Sequence, residues 1–290
     1  MPFALSPIVC TTLMMDFPLA RQRFYQETSQ PEAQIDLAKA ALYIAQEEYP
    51  EIDVAANLEI LDDMAADLKT RLQGPYYPMR VINTINQYLY EEKGFFGNSE
   101  HYYDPRNSFL NEVLQRRTGI PITLALVYAE VARRLDFPTI GINMPGHFLL
   151  QPEFEDAGIY IDAFHGGEVM FAEDCAQLLS RIYGESIEVE QVKPMLTRIG
   201  KKRFLARMLT NLKMIYLTLQ DMEKTLAAVE RILMLFPDAT SENRDRGLLY
   251  YQAGRWVEAR QDLEIYLDGT PNAQDKAVIQ QILDKISKQS

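Results

Sequence analysis

The sequence predicts an α+β domain followed by an all-α segment, and three observations carry this prediction. Apolar residues recur at helical spacing through residues 31–92. The apolar period then changes from 3.6 to 2 between residues 138 and 163, as expected where strands follow helices. A 34-residue repeat occupies the remainder of the chain. We therefore expect two domains, residues 1–195 and 196–290.

The N-terminal part is predicted to be helical. Three helices are expected over 31–49, 53–72 and 76–92, each with an apolar stripe at i, i+3 and i+4 spacing. Pro31 suits an early helical position, because N–H groups in the first turn have no partner within the helix and proline loses no hydrogen bond by lacking one. A loop is expected over 98–107, since that stretch is polar, aromatic and irregular.

A buried helix is predicted at the centre of the first domain. A short helix over 108–117, with Ser108 as its N-cap, leads to a longer helix over 121–135. Pro121 fits the first position of that longer helix. The helix is apolar nearly all round, which is typical of an element surrounded by the rest of the domain.

An antiparallel sheet is predicted to cover this helix. The alternating patterns over 138–143, 146–151 and 159–163 indicate strands. A closing helix is expected over 172–183.

The C-terminal part contains two copies of one repeat. Residues 212–237 align with residues 246–271 at an offset of 34, the period of tetratricopeptide repeats. Arrays of such repeats form extended concave surfaces that bind peptides, so a protein or peptide partner is expected. The residues that define the second copy are Gly247, Gly254, Trp256, Ala259 and Pro271.

Charge and composition exclude several classes of function. The net charge of −12 is uneven: residues 1–197 carry −15 and residues 198–290 carry +3. Nucleic-acid binding is not expected, because a surface that contacts phosphates must supply cations. No signal peptide and no membrane span is predicted. The two cysteines, Cys10 and Cys175, make neither a disulfide framework nor a metal spacing, so we expect a cytoplasmic protein.

A histidine and an aspartate stand out on two neighbouring predicted strands. If the strand over 146–151 pairs symmetrically with residues 159–162, Leu150 lies opposite Ile159 and His147 lies opposite Asp162. The carboxylate could then orient the imidazole as a general base. A structural hydrogen bond without catalysis is the alternative.

Several motifs resemble one bacterial family. They are Tyr102–Ser108 (YYDPRNS), Leu110–Thr123 (LNEVLQRRTGIPIT), Pro145–Phe148 (PGHF) and Ile161–Gly167 (IDAFHGG). In these motifs the chain resembles the SirB-type family. The resemblance extends over residues 30–287, and the motifs lie at its centre. That resemblance implies a transglutaminase-like domain, with a papain-like core of one buried helix on an antiparallel sheet, followed by tetratricopeptide repeats.

The resemblance also implies where a catalytic cysteine should stand, and the chain lacks it. In the wider superfamily a Cys begins the central helix, while His147 and Asp162 match the His and Asp that follow. An ungapped count puts Pro121 at the cysteine position, and Thr123 is the nearest hydroxyl. Cys175 comes after the Asp162 strand, in the wrong order along the chain. Cys10 is a further candidate thiol.

The loop before the central helices is the other candidate region. Tyr102, Tyr103 and Asn107 are candidates to rim a groove beside His147. The alternative, favoured for Asp104, Asn107 and Ser108, is that these residues fix the loop through turn and cap chemistry. A metal site from His101, His147 and His165 is conceivable, but no ligand spacing supports it. We therefore predict no metal and no cofactor.

These observations favour a non-catalytic interaction protein with a regulatory or assembly role, a pseudoenzyme that binds a protein or peptide. The alternative is an amide or ester hydrolase, or an acyl transferase, that uses the pair His147 and Asp162 with Thr123 or water as nucleophile.

Overall fold

The computed structural model describes residues 17–72, 74, 77–154 and 158–289. The chain divides into two compact units, Met1–Met208 and Leu209–Ser290. In the described part of the chain, no helix is both long and apolar enough to cross a membrane. Cys10 lies outside the described residues.

Four helices open the first unit. They are α1 (Leu19–Thr28), α2 (Leu37–Glu48), α3 (Val54–Arg71) and α4 (Pro78–Asn86), and α4 continues into a π-helical turn over Gln87–Glu92.

Helix α2 begins six residues later than the sequence predicts. Residues Glu32–Gln34 form a separate 3₁₀ turn, and the Asp36 carboxylate then accepts the Lys39 backbone N–H at 3.0 Å. An aspartate that caps the helix in this way satisfies a free N–H at the helix start. The expectation that the helix starts at Pro31 is therefore wrong, because Asp36 supplies the stronger start signal.

The centre of the first unit is the buried helix that the sequence predicts. Helix α5 (Leu110–Arg116) leads to α6 (Pro121–Arg134), and Pro121 occupies the first turn of α6. Ten of the eleven residues from Pro121 to Val131 are buried. Helix α6 packs against the strand His147–Pro152 and against the 3₁₀ turn Ala163–His165.

A five-stranded antiparallel sheet lies on α6. Its strands are β3 (Thr139–Met144), β4 (His147–Pro152), β5 (Tyr160–Asp162), β6 (Glu168–Met170) and β7 (Thr197–Ile199), in the order β6-β5-β4-β3-β7. The three strands predicted from sequence are confirmed.

A short parallel pair and two helices complete this unit. Strand β1 (Phe96–Gly97) pairs with β2 (Thr118–Gly119), which the sequence does not predict. Helix α7 (Ala172–Tyr183) matches its predicted range, and helix α8 (Val189–Val192) follows it. The first unit is therefore an α+β domain with its main helix buried.

The second unit consists of helix pairs. Helix α9 (Lys201–Thr218) begins in the first unit and continues into the second, where α10 (Met222–Leu235), α11 (Thr240–Gln252), α12 (Trp256–Gly269) and α13 (Lys276–Gln289) follow. The chain thus repeats a helix–turn–helix element at the predicted offset of 34.

The repeat-defining residues lie where helices meet or turn. A Cβ atom on Gly247 would lie 2.8 Å from the Leu263 side chain, so glycine permits α11 and α12 to pack closely. Ala259 is fully buried on α12, and the Trp256 ring meets the Tyr251 ring edge to face at 5.3 Å. Pro271 follows the end of α12 and is exposed.

The turn between paired helices has the same backbone conformation in both repeats. Gly254 has φ +74°, and Gln220, which lies 34 residues earlier, has φ +58°. Equivalent backbone bonds close both turns, from Asp221 to Tyr216 and from Arg255 to Tyr250, each at 2.9 Å. A left-handed residue costs about 1 kcal/mol when it is not glycine.

Gln220→Gly is therefore expected to raise the free energy of unfolding by up to about 1 kcal/mol, because glycine adopts this conformation without strain. Gly254→Ala is expected to lower it by about 1 kcal/mol for the same reason. Urea unfolding of both variants checks this. Equal effects of the same sign would contradict it.

Candidate functional site

The predicted contact between His147 and Asp162 is present, but through a different register. Leu150 lies opposite Ile161, not opposite Ile159 as expected. The shift is two residues, so His147 and Asp162 remain on the same face as diagonal neighbours. His147 Nε2 lies 2.8 Å from Asp162 Oδ2. The register prediction fails because the long connection between β4 and β5 does not fix the pairing as a two-residue turn would.

Asp162 uses both carboxylate oxygens. Oδ2 meets His147 Nε2 and also His165 Nδ1, the latter at 2.7 Å. Oδ1 accepts the backbone N–H groups of Phe164 at 3.0 Å and His165 at 3.3 Å. Only 1% of Asp162 is exposed. Burial would raise the pKa of this carboxyl group, but the hydrogen bonds from the two histidines outweigh it and hold the pKa well below its usual range.

The tautomer of His147 follows from its partner. An ionised carboxylate only accepts hydrogen bonds, so the His147 proton lies on Nε2 and Nδ1 keeps a lone pair in the neutral ring. Among the described residues, no hydrogen bond reaches His147 Nδ1. The arrangement therefore provides an oriented imidazole with its basic nitrogen unused.

The sequence singles out His165 only together with His101 and His147 and does not predict its contact with Asp162. Its side chain bonds Asp162, and its ring stacks on His147 with centroids 5.7 Å apart. The hydrogen bond to Asp162 raises the pKa of His165. The signal was Asp162 itself, because an aspartate that caps a 3₁₀ turn brings the residue three positions later back beside its carboxylate.

The hydroxyl nearest to the expected nucleophile position, on Thr123, caps the central helix. Thr123 is fully buried. Its Oγ1 donates to the Asn107 carbonyl at 2.7 Å and accepts the Ile120 N–H at 3.1 Å. The Thr123 hydroxyl thus closes the first turn of α6, where Pro121 supplies neither a nucleophile nor an N–H. The structure assigns Thr123 a capping role and brings it into no hydrogen bond with His147.

Cys175 does not replace the missing nucleophile. It is fully buried on α7, within an apolar cluster beside the sheet. Burial raises the pKa of its thiol to about 12, so the thiolate is scarce at neutral pH. Cys175 is a core residue.

The three predicted groove residues divide into two roles. The Tyr102 ring meets Phe164 edge to face at 6.3 Å, and Phe164 meets His147 at 6.1 Å. Tyr103 is 76% exposed beside Tyr102. Asn107 is fully buried and donates Nδ2 to the His101 carbonyl at 2.8 Å. Asn107 therefore holds the loop together and does not line a surface.

An open pocket lies along this loop. Its volume is ≈ 490 Å³, and its lining residues are Glu100, His101, Tyr102, Tyr103, Asp104 and Arg106. Because Tyr102 also contacts Phe164, an aromatic path connects this pocket to the His147 ring. The pocket contains His101, which the structure does not bring to Asp162.

Tyr90 lies beside the turn that follows Asp162, and Tyr128 lies near Tyr90. Tyr90 donates its hydroxyl to the Ala163 carbonyl at 2.9 Å. Burial, with lesser contributions from Tyr128 and Asp162, raises the pKa of Tyr90. Tyr128 on α6 is fully buried, and its hydroxyl has no hydrogen-bond partner among the described residues.

Tyr128→Phe is expected to leave the free energy of unfolding unchanged or to raise it by up to about 1 kcal/mol, since it removes a buried polar group that forms no bond. Tyr90→Phe is the matched control and is expected to lower it by about 1 kcal/mol, because the Ala163 carbonyl loses its donor. Thermal unfolding checks both. A larger loss for Tyr128→Phe than for Tyr90→Phe would contradict the assignment.

Comparison with known proteins agrees with this geometry. A family model described as the transglutaminase-like superfamily matches residues 55–210, and a tetratricopeptide repeat model matches residues 212–284. A UPF0162 protein of Xylella fastidiosa is 33% identical over 257 residues, which cover 88% of this chain and 91% of that protein. A UPF0162 protein of Pseudomonas aeruginosa is 32% identical over 79% of this chain and 82% of its own length.

More distant likenesses extend to animals. Human F-box only protein 21 is 31% identical over 192 residues, which cover 62% of this chain and 29% of that protein. The crystal structure of menin, whose title names a binding site for Mixed Lineage Leukemia protein, aligns with a TM-score of 0.38 and 11% identity over 92% of this chain and 74% of that one. A likeness of that size does not establish a shared fold. The matches to the bacterial proteins do establish the family: the chain belongs to the SirB-type UPF0162 proteins, in which a transglutaminase-like domain precedes tetratricopeptide repeats.

Proposed function

We propose that this chain is a non-catalytic interaction protein that binds a protein or peptide partner, in a regulatory or assembly role. The observation that carries the proposal is the start of α6. Pro121 stands where a nucleophile is expected, and the nearest hydroxyl, on Thr123, is buried and committed to the Asn107 carbonyl. Covalent acyl transfer needs a nucleophile within reach of its base.

The first unit supplies one binding surface. The pocket beside Tyr102 and Tyr103 combines exposed aromatic area with polar groups, and aromatic residues are enriched at the centres of protein interfaces. Tyr103 is 76% exposed although it is large and apolar. An aromatic side chain that is this exposed is suited to anchor a partner.

The second unit supplies another surface of its own. Tetratricopeptide arrays bind peptides along their stacked helices. Met214 and Leu217 lie three residues apart on α9, so they share one face of the helix, and they are 55% and 41% exposed. Exposed apolar side chains placed together are typical of interaction surfaces.

Site-specific photo-crosslinking tests the proposal in the source cell. A photoreactive phenylalanine analogue at Tyr103 and another at Leu217 are expected to give discrete adducts with a protein that mass spectrometry identifies. The analogue at Ile60, an exposed apolar position on α3, is the control and is expected to give none. Adducts that are absent, or equal at all three positions, would contradict the proposal.

The affinity for the identified partner then shows whether Tyr103 contributes more to binding than another exposed tyrosine does. Tyr103→Ala is expected to weaken binding by about tenfold or more, as for an aromatic anchor. Tyr77→Ala is the matched control, since Tyr77 is also largely exposed. Equal weakening by both variants would count against a site at Tyr103. Cytoplasmic localisation stays a prediction.

One observation favours a second candidate, a hydrolase of amides or esters. His147 is already oriented by Asp162, and its Nδ1 has no partner among the described residues. Such an imidazole could remove a proton from a water molecule as it attacks a carbonyl carbon. Turnover that His147→Gln abolishes would support this candidate and overturn the first.

A further inference from the structure

We propose that His147, Asp162 and His165 form a binding site for one divalent transition-metal ion of the Zn²⁺ class. The three side chains offer ligand atoms that all lie within 4.8 Å of one another. The site goes beyond the proposed interaction role and does not depend on it.

The donor set suits such an ion. Two imidazoles and one carboxylate are a common set of protein ligands for open zinc sites and for non-haem iron sites. Calcium and magnesium prefer oxygen ligands only, so two nitrogen donors favour a transition metal over either of them. His165 is 53% exposed, whereas His147 and Asp162 are buried, so an ion would enter the cluster from the His165 side.

The aspartate is oriented for coordination by the backbone. Its Oδ1 accepts the N–H groups of Phe164 and His165, which fixes the plane of the carboxylate. Its Oδ2 is left as the atom on which both imidazoles converge. Outer hydrogen bonds that orient a ligand in this way are a regular feature of metal sites.

Only a small movement separates the hydrogen-bonded cluster from a coordinated one. Metal–ligand bonds of about 2.0–2.2 Å at tetrahedral or octahedral angles place neighbouring ligand atoms roughly 3.0–3.4 Å apart. The two N···O distances are now 2.8 and 2.7 Å. They need to lengthen by a few tenths of an ångström, and the two ring nitrogens, which lie within 4.8 Å of each other, need to reach a similar spacing. Rotation of the half-exposed His165 ring is the movement that changes both.

The protons balance without any further reagent. In the neutral cluster, His147 carries its proton on Nε2 and His165 on Nδ1, both directed at Asp162. Binding of the ion moves these protons through solvent to His147 Nδ1 and His165 Nε2, neither of which forms a hydrogen bond among the described residues. The ion then meets two lone pairs and one carboxylate oxygen.

Equilibrium dialysis of the full, tag-free, chelator-treated chain against Zn²⁺ tests the site. One Zn²⁺ per chain is expected, and His165→Gln is expected to lower the affinity at least tenfold. His101→Gln is the matched control, since His101 is exposed and outside the cluster, and it is expected to leave the affinity unchanged. His147→Gln removes a different ligand of the same site and is also expected to lower the affinity for Zn²⁺. Absence of stoichiometric binding by the wild type, or equal loss with His101→Gln, would overturn the proposal.

Co²⁺ identifies the ligands independently. Visible absorption from a site of nitrogen and oxygen donors is expected, and it should disappear in His165→Gln while far-UV circular dichroism stays unchanged. An intense near-ultraviolet sulfur-to-cobalt band would place the ion on a cysteine thiolate, and an unchanged spectrum in His165→Gln would place it elsewhere. Either result overturns the assignment.

Discussion

Replacement of Asp162 by alanine is expected to lower the free energy of unfolding by about 3–5 kcal/mol, because hydrogen bonds to a charged group contribute roughly 1.5–3 kcal/mol each and buried donors would lose their acceptor. Asp162 is 1% exposed and holds four hydrogen bonds, two from histidine rings and two from backbone N–H groups. Without it, buried His147 loses its acceptor and the 3₁₀ turn loses its cap.

Asp174→Ala is the matched control for this variant. Asp174 also caps a helix, by accepting the Phe171 N–H at 2.8 Å, but it forms no ion pair with any residue that the structure describes. A loss of about 1 kcal/mol is expected there. Urea unfolding of both variants at pH 6 measures the difference, and losses of equal size would contradict the account of Asp162.

The pH dependence of the Asp162 contribution follows from the two pKa shifts. The pKa of Asp162 is depressed in the folded chain, so its stabilisation is present above about pH 4 and is lost as the pH falls. The pKa of His165 is raised, so its stabilisation is complete below about pH 6.5 and is lost as the pH rises through the raised value. The stability difference between wild type and Asp162→Asn should therefore be largest between about pH 4 and 6.5. A difference that grows steadily up to pH 9 would contradict this assignment.

Gly97→Ala is expected to lower the free energy of unfolding by about 1–3 kcal/mol, the usual cost of forcing an atom into a packed region. A Cβ at this position would lie 2.6 Å from the Phe164 ring and 2.7 Å from the Phe164 carbonyl oxygen. Phe164 in turn contacts the His147 ring. The substitution should therefore displace the turn that carries His165 as well as destabilise the domain.

Gly166→Ala is the control that separates the cost of a steric collision, expected in Gly97→Ala, from the cost of backbone strain. Gly166 has φ +71° and open space around it, so alanine there adds backbone strain of about 1 kcal/mol without a collision.

Histidine NMR resonances of His147 and His165 should shift in Gly97→Ala. If Gly97→Ala is as stable as wild type with unchanged histidine resonances, the close approach of β1 to Phe164 is refuted.

The elements that the sequence predicts well are those with strong internal periodicity. Helix α6 and the strands of the central hairpin follow from the apolar pattern, because burial on all sides or on one side determines which residues are apolar. The 34-residue repeat predicts the equivalence of the two helix pairs, whereas the left-handed backbone that Gly254 and Gln220 share is a finding of the structure.

The features that the sequence does not predict depend on very short turns or on pairing between segments that a long connection separates. The register of β4 against β5 fails by two residues, since nothing in the connection between them specifies the pairing. His165 reaches Asp162 only because a 3₁₀ turn follows the strand, and three residues are too few to give a periodic signal. The Thr123 hydroxyl is bound by the Asn107 carbonyl, a contact 16 residues away along the chain.

The most direct test of the central claim, that this transglutaminase-like domain does no covalent catalysis, is intact-mass spectrometry of the purified chain after exposure to activated acyl esters and to glutamine-containing peptides. We expect any adduct to form equally in wild type and His147→Gln, with no turnover above the uncatalysed rate. A single acyl adduct on Thr123, or on any other hydroxyl or thiol, that forms in the wild type and is lost in His147→Gln would contradict it.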